Sequence, residues 1–308
     1  FGQEANSAEL VNNYDWFKEF SFLEFLREAG KFLTVNYMMS KDSVKTRLET
    51  GISFTEFSYQ LLQGYDFFHL YKTKNVRLQM GGSDQWGNIT TGTELIRRKE
   101  GHDDEATERA AFALTTPLVT KSDGTKFGKS ESGNIWLDAE KTSAYQFYQF
   151  WLNAADADVS RLIRVFTLYN QNEIEALEKE HAEAPHLRIL QKAIANEVTS
   201  RVHGESISQL VMEASELLFS KDAVEKLENA SPKLLAQLPI HKISPELVAE
   251  CVNITDLISV GCSYLICSSK GEARKAIQGN SISVNKIKIT DHQAPIDFNK
   301  IKGQYLLV

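Results

Sequence analysis

A double glycine, Gly81-Gly82, follows the strand-like stretch Val76-Arg77-Leu78-Gln79-Met80 and opens the run Ser83-Asp84-Gln85-Trp86-Gly87-Asn88. That order constrains the chain more than any other feature. Glycine lets the backbone approach a ligand where a side chain would clash. In open parallel sheets, ligands sit at the carboxyl ends of the strands. Helical periodicity flanks the run on both sides. Ser53-Phe54-Thr55-Glu56 is a capping box that opens a helix to about Tyr71, and Ile89 to Lys99 reads as helix again. Leu118-Val119-Thr120 reads as a following strand. Strands alternating with helices in this way predict a parallel α/β sheet.

The bulk numbers set the frame. A length of 308 residues predicts two or three domains, and 42% apolar residues suffice for buried cores. The net charge of −7 argues against a basic coat for nucleic acid, while leaving room for a local basic patch. No apolar run is long enough to span a membrane. The three cysteines, Cys251, Cys262 and Cys267, fit no zinc spacing and read as reduced, partly buried thiols of a cytoplasmic protein.

Two further groups of residues carry chemistry. Tyr59, Gln63 and Asp66 share one face of the helix that follows Ser53. An ordinary amphipathic helix would place Leu or Val there, although a polar face can also simply meet solvent. Downstream, Lys121-Ser122-Asp123-Gly124-Thr125-Lys126-Phe127-Gly128-Lys129-Ser130 is polar and glycine-rich. Most loops of that composition are solvated hairpins. Two lysines so close together can also neutralise a polyphosphate if the loop closes over it. In the glycine run, Asp84 is placed to accept from ribose hydroxyls. Gln85 offers both a donor and an acceptor.

Read together, the Gly-Gly-Ser-Asp-Gln-Trp-Gly-Asn run, the Tyr59–Gln63–Asp66 face and the Lys-Phe-Gly-Lys-Ser loop resemble the second half of a bacterial class I tyrosyl-tRNA synthetase. The loop is a variant of that family's Lys-Met-Ser-Lys-Ser signature. The resemblance implies an aminoacyl-tRNA ligase that activates tyrosine with ATP and passes it to tRNA(Tyr) in translation. By match, Tyr59 and Gln63 hold the substrate α-ammonium and Asp66 accepts from its phenol, with Gln79 and Gln85 completing the tyrosine site. Gly82, Asp84, Lys126, Lys129 and Ser130 bind ATP or the adenylate, and Lys126 and Lys129 are the catalytic pair. Magnesium accompanies ATP as substrate. The resemblance implies no prosthetic group and no metal held by the protein.

The implied fold is α/β: a partial Rossmann-like parallel sheet, then an α-helical domain, then a small α+β RNA-binding module. The corresponding domains are 1–138, with the dimer-interface region and the lysine loop; 139–231, binding the anticodon arm; and 246–308, resembling a ribosomal-protein RNA-binding module. In the helical region Leu162, Ile163, Val165, Phe166 and Leu168 mark one apolar face. In the last block Lys270, Arg274 and Lys275 share a helix face that would meet RNA phosphate, and that also suits a solvated surface. Ser281–Val284 and Lys286–Ile289 read as short strands. The resemblance implies a homodimer with its interface around residues 1–60. There, Tyr14, Trp16, Phe17 and Phe54 suit either a subunit contact or a core.

One family signature, His-x-Gly-His, has no counterpart among the histidines at 69, 102, 181, 186, 203, 241 and 292. The chain starts at Phe1. Both facts lead to the expectation of a cut inside a longer product and of no tyrosyl-adenylate synthesis by the chain alone. The alternative from another class is a non-catalytic fragment that binds RNA and dimerises.

Overall fold

The computed structural model describes residues 4, 6–101, 110–120, 122, 124, 127, 129–130 and 133–308, with the backbone alone at 129, 130 and 133. Within the polar stretch 101–109, which reads as a surface loop, residues 102–109 lie outside them. The chain forms two compact units, Phe1–Thr120 and Lys121–Val308. The described residues are mostly helical, with a small parallel sheet.

In the first unit, short helices α1 (Tyr14–Phe17), α2 (Phe22–Glu28), α3 (Val35–Met39) and α4 (Asp42–Leu48) precede the long helix α5 (Phe54–Lys74). Ser53 and Glu56 cap α5 reciprocally, each side chain meeting the other's backbone N–H. The helix stops at Asn75, whose left-handed backbone (φ 54°) Asn tolerates better than most residues. Gln60, Leu61, Gly64, Phe67 and Tyr71 form its buried stripe. That spacing is helical, so burial of this stripe fixes which way the polar residues beside it point.

Strand β1 (Leu78–Gly82) leads through a 3₁₀ turn into α6 (Trp86–Glu100), and β2 (Phe112–Thr116) then pairs parallel to β1, from Leu78 opposite Phe112 to Gly82 opposite Thr116. The second strand therefore differs from the expected one at Leu118–Thr120. Pro117 explains the shift: it has no N–H for the ladder, and the strand ends just before it. Helices α5 and α6 pack closely because Gly92 presents no side chain. A Cβ there would lie 2.9 Å from Phe67 Cβ. Phe25, Ala29, Leu33, Met38, Leu61 and Leu95 build one core of the unit, and Phe67, Tyr71 and Ile96 a second.

In the second unit, β3 (Lys129–Ser130) and β4 (Gly133–Asn134) form a short antiparallel pair. Helices α7 (Ala144–Leu152), α8 (Asp156–Phe166), α9 (Gln171–Glu183), α10 (Ile189–His203) and α11 (Glu205–Phe219) follow. Helix α10 is central, packing on α7, α8, α9 and α11, and it buries Leu190, Ile194, Ala195 and Val198. The apolar face expected from Leu162 to Leu168 is only partly a core. Leu162 and Ile163 are buried with Val159, but Val165 and Leu168 are exposed. Helix α8 ends at Phe166, so helical spacing no longer governs Leu168.

Helices α12 (Ala223–Asn229), α13 (Pro232–Leu235), α14 (Pro245–Glu250) and α15 (Ile254–Asp256) lead to α16 (Lys270–Gln278) and the antiparallel strands β5 (Ser283–Val284) and β6 (Ile287–Lys288). These strands are shorter than the sequence pattern suggests. Asn285 and Lys286, both with positive φ, make the two-residue turn between them. Ile254, Ile258, Ala273, Ile277 and Val284 form the core of this part. The three cysteines are free thiols, Cys262 and Cys267 buried and Cys251 half-buried. No helix among the described residues is long and apolar enough to cross a membrane.

Candidate functional site

The polar face of α5 and the glycine run meet through a row of amides. Asn88 Nδ2, in the first turn of α6, donates to Gln63 Oε1 at 3.0 Å and more weakly to Gln85 Oε1 at 3.5 Å. Gln85 Nε2 in turn donates to Asp84 Oδ2 at 3.3 Å. Gln63, Gln85 and Asp84 are thus brought to one place. Asn88 links them, and the sequence reading gave it no role, although it closes the glycine run.

Asp66 sits one turn beyond Gln63 on α5. Its Oδ1 accepts from Trp16 Nε1 at 2.8 Å and its Oδ2 from Asn13 Nδ2 at 3.3 Å. Burial pushes the Asp66 pKa above the usual carboxylate value. The two hydrogen bonds, and nearby His69, pull the other way without cancelling it. A carboxylate offers about four lone-pair sites, so two donors leave capacity for a third. Asn13 and Trp16 are some 50 residues away in sequence, and no local signal announces them as partners of Asp66.

Tyr59 is exposed on the same helix. Gln79 projects from β1, and its Oε1 is buried without a hydrogen-bond donor from the described residues. A buried acceptor of that kind is costly unless a ligand supplies the donor. Gly82 ends β1, and a Cβ there would lie 2.7 Å from Asp84 Oδ1 and 2.9 Å from Leu118 Cδ2. A side chain there would have to displace the ends of both side chains.

Of the lysine loop, Lys126 lies outside the described residues. Lys129 and Ser130 are seen as the backbone of β3, and their side chains are not described. Phe127 packs its ring against Phe150, Trp151 and Phe166, at centroid distances of 5.5, 5.6 and 5.3 Å. The expected aromatic cluster near the start divides. Tyr14 and Phe54 are exposed, whereas Phe17 packs on the core around Phe25 and Trp16 serves Asp66.

On α16, Ala273 and Ile277 face the core while Lys270, Arg274 and Lys275 are exposed. Lys270 Nζ pairs with Asp256 Oδ1 at 2.7 Å, and this contact is the main reason the Asp256 pKa is lowered. Among the described residues, no group of three or more His, Cys, Asp or Glu is placed to hold a metal ion.

The first unit thus sets a parallel strand pair ending in Gly-Gly beside an amide row that reaches the exposed Asp84, with the half-buried Asp66 one turn along α5. The profile of the class I tRNA synthetases (W and Y) matches residues 2–220. The chain belongs to that family. It is 59% identical over 308 residues to the tyrosine–tRNA ligase of Cytophaga hutchinsonii, covering 99% of this chain and 70% of that protein. It is 55% identical over 312 residues to that of Amoebophilus asiaticus, covering 100% and 71%. Among solved structures, a C-terminally truncated mitochondrial tyrosyl-tRNA synthetase of Aspergillus nidulans superposes with a TM-score of 0.59 at 32% identity, over 68% of this chain and 57% of that one. Identity at this level assigns the chain the tyrosine–tRNA ligase function, that of an aminoacyl-tRNA ligase in protein biosynthesis.

Proposed function

We propose that the first unit carries the tyrosine and adenylate site of this ligase, and that the amide row from Gln63 through Asn88 and Gln85 to Asp84 is its backbone. That row is the observation on which the reading rests, because it joins the amino-acid face to the nucleotide face. Tyr59 and Gln63 hold the α-ammonium of tyrosine. Asp66 accepts from the phenol, and Gln79 and Gln85 meet the carboxylate end. Gly82 and Asp84 receive the adenosine ribose.

In the reaction, an oxygen of the tyrosine carboxylate attacks the α-phosphorus of magnesium-bound ATP. The bond to the β-phosphate bridge breaks and pyrophosphate leaves, giving tyrosyl-adenylate. A ribose hydroxyl at the 3′ end of tRNA(Tyr) then takes the tyrosyl group and AMP departs. Lys126 and Lys129, with Ser130, neutralise charge as it builds on the leaving pyrophosphate. The catalytic domain of this reading runs to about residue 138 and includes the lysine loop, beyond the end of the first compact unit at Thr120. Helices of 139–231 receive the anticodon arm, and the module at 246–308 holds RNA through Lys270, Arg274 and Lys275. Exposed Tyr14 and Phe54 belong to the contact between two copies in a cytoplasmic homodimer.

The test is tyrosine-dependent ATP–pyrophosphate exchange, with the chain joined to the part of its relatives' length that it does not span. Exchange that falls by about a hundredfold or more in Lys129→Ala and in Asp84→Ala supports the reading, since single electrostatic groups at a transition state contribute on that scale. Exchange unaffected by both changes refutes it.

A further inference from the structure

The indole that donates to Asp66 is itself held by a ring with no role so far. His69 follows Asp66 by three residues on α5, and its imidazole lies flat on Trp16, centroids 4.5 Å apart and planes 16° from parallel. The two contacts use different parts of the indole. Its edge N–H goes to Asp66 Oδ1 and its face to His69. The plane of an indole determines where its N–H points, so the stack aims the hydrogen bond.

Helix α1 is anchored by Asn13, which also donates to Asp66, and by Phe17, which packs on Phe20, Phe25 and Tyr65, and the plane of the Trp16 indole is left to its ring contact. The helix has four residues, no side-chain cap and no buried residue. Such a helix takes its position from the side chains it sends to neighbours. Trp16 and His69 both line an open cleft of about 470 Å³, together with Phe20, Tyr65 and the charged Glu19, Glu24, Arg27 and Glu28. The imidazole is the flat surface on which the indole rests. Burial lowers the His69 pKa against the opposing pull of Asp66, which favours the neutral ring suited to stacking.

We propose that His69 is a positioning residue for tyrosine recognition: its ring fixes the Trp16 indole so that Nε1 donates to Asp66 and leaves the carboxylate aimed at the substrate phenol. This rests on the reading of Asp66 as the phenol acceptor. A residue that merely filled space would be replaceable by leucine. A stacking surface would be replaceable by phenylalanine.

The test compares His69→Leu with His69→Phe. The first readout is the Trp16 indole N–H resonance in the nitrogen-15 spectrum of the chain, assigned with Trp16→Phe. The second is the preference for tyrosine over phenylalanine in ATP–pyrophosphate exchange by the joined protein. In His69→Leu the resonance should move and its exchange with solvent should quicken about tenfold, with a similar loss of preference carried by the KM for tyrosine. His69→Phe should restore both. If His69→Leu keeps both, or His69→Phe loses both, the proposal is overturned. Asp66→Asn is the separate control. If it leaves the preference unchanged, the reading of Asp66 fails, and the indole resonance alone decides whether His69 holds Trp16.

Discussion

Asn88 Nδ2 lies 3.0 Å from Gln63 Oε1, so the first turn of α6 is tied directly to the polar face of α5. The bond orients Gln63 from behind and leaves its Nε2 group for other partners. Asn88 is close to the crossing where Gly92 meets Phe67, so the two backbones hold its amide at a fixed distance.

Asn88→Ala should therefore weaken tyrosine binding without unfolding the first unit. Losing one side-chain hydrogen bond of this kind costs about 1 kcal/mol, or about fivefold in affinity. Steady-state kinetics should show the change in the KM for tyrosine, with the KM for ATP little altered. A variant with unchanged KM for tyrosine would mean that Gln63 does not depend on this bond.

Asp66 should trade stability for recognition. Burial raises its pKa above the value of about 3.9 that an unfolded aspartate has. Between those two values the folded chain binds more protons than the unfolded chain, so stability falls as pH rises through the window. The cost is complete above the folded pKa and is relieved as pH drops through it. Asp66→Asn should raise Tm at pH 7, and the advantage should shrink as pH is lowered toward 4. Melting curves across that range check this; an advantage constant with pH would contradict it.

The basic face of α16 should not act uniformly on RNA. Lys270 is already committed to Asp256 at 2.7 Å, which Arg274 reaches only by its more distant charge. Arg274→Ala and Lys275→Ala should each reduce the slope of log affinity against log salt by about 0.7–0.9, the contribution of one phosphate contact. Lys270→Ala should change it less. Filter binding of tRNA(Tyr) at several salt concentrations separates the three, and an equal effect of all would show that RNA displaces Asp256.

What could be read from sequence was mostly local. The Ser53–Glu56 box, the long α5 and the shared face of Tyr59, Gln63 and Asp66 each depend on spacings within a helix. The glycine run is equally local, since one turn must place Gly82 against Asp84. The second strand was not legible because Pro117 stops a ladder whose partner is chosen by β1, some 30 residues earlier. Trp16 read as an interface or core aromatic. Its role depends on α1 coming back to α5, which no periodicity encodes. Val165 and Leu168 look like core residues by hydropathy, but Val165 is not on the buried Val159–Leu162–Ile163 face of α8, and Leu168 lies beyond its end.

The most direct measurement is the kcat/KM for tyrosine and for phenylalanine in ATP–pyrophosphate exchange by the joined protein, wild type against Asp66→Asn. The account predicts strong preference for tyrosine in the wild type. Phenylalanine leaves the half-buried Asp66 carboxylate without its substrate partner, a cost of about 1–3 kcal/mol. In Asp66→Asn the preference should collapse, chiefly through loss of activity with tyrosine. An undiminished preference in Asp66→Asn would contradict the claim that this carboxylate reads the phenol.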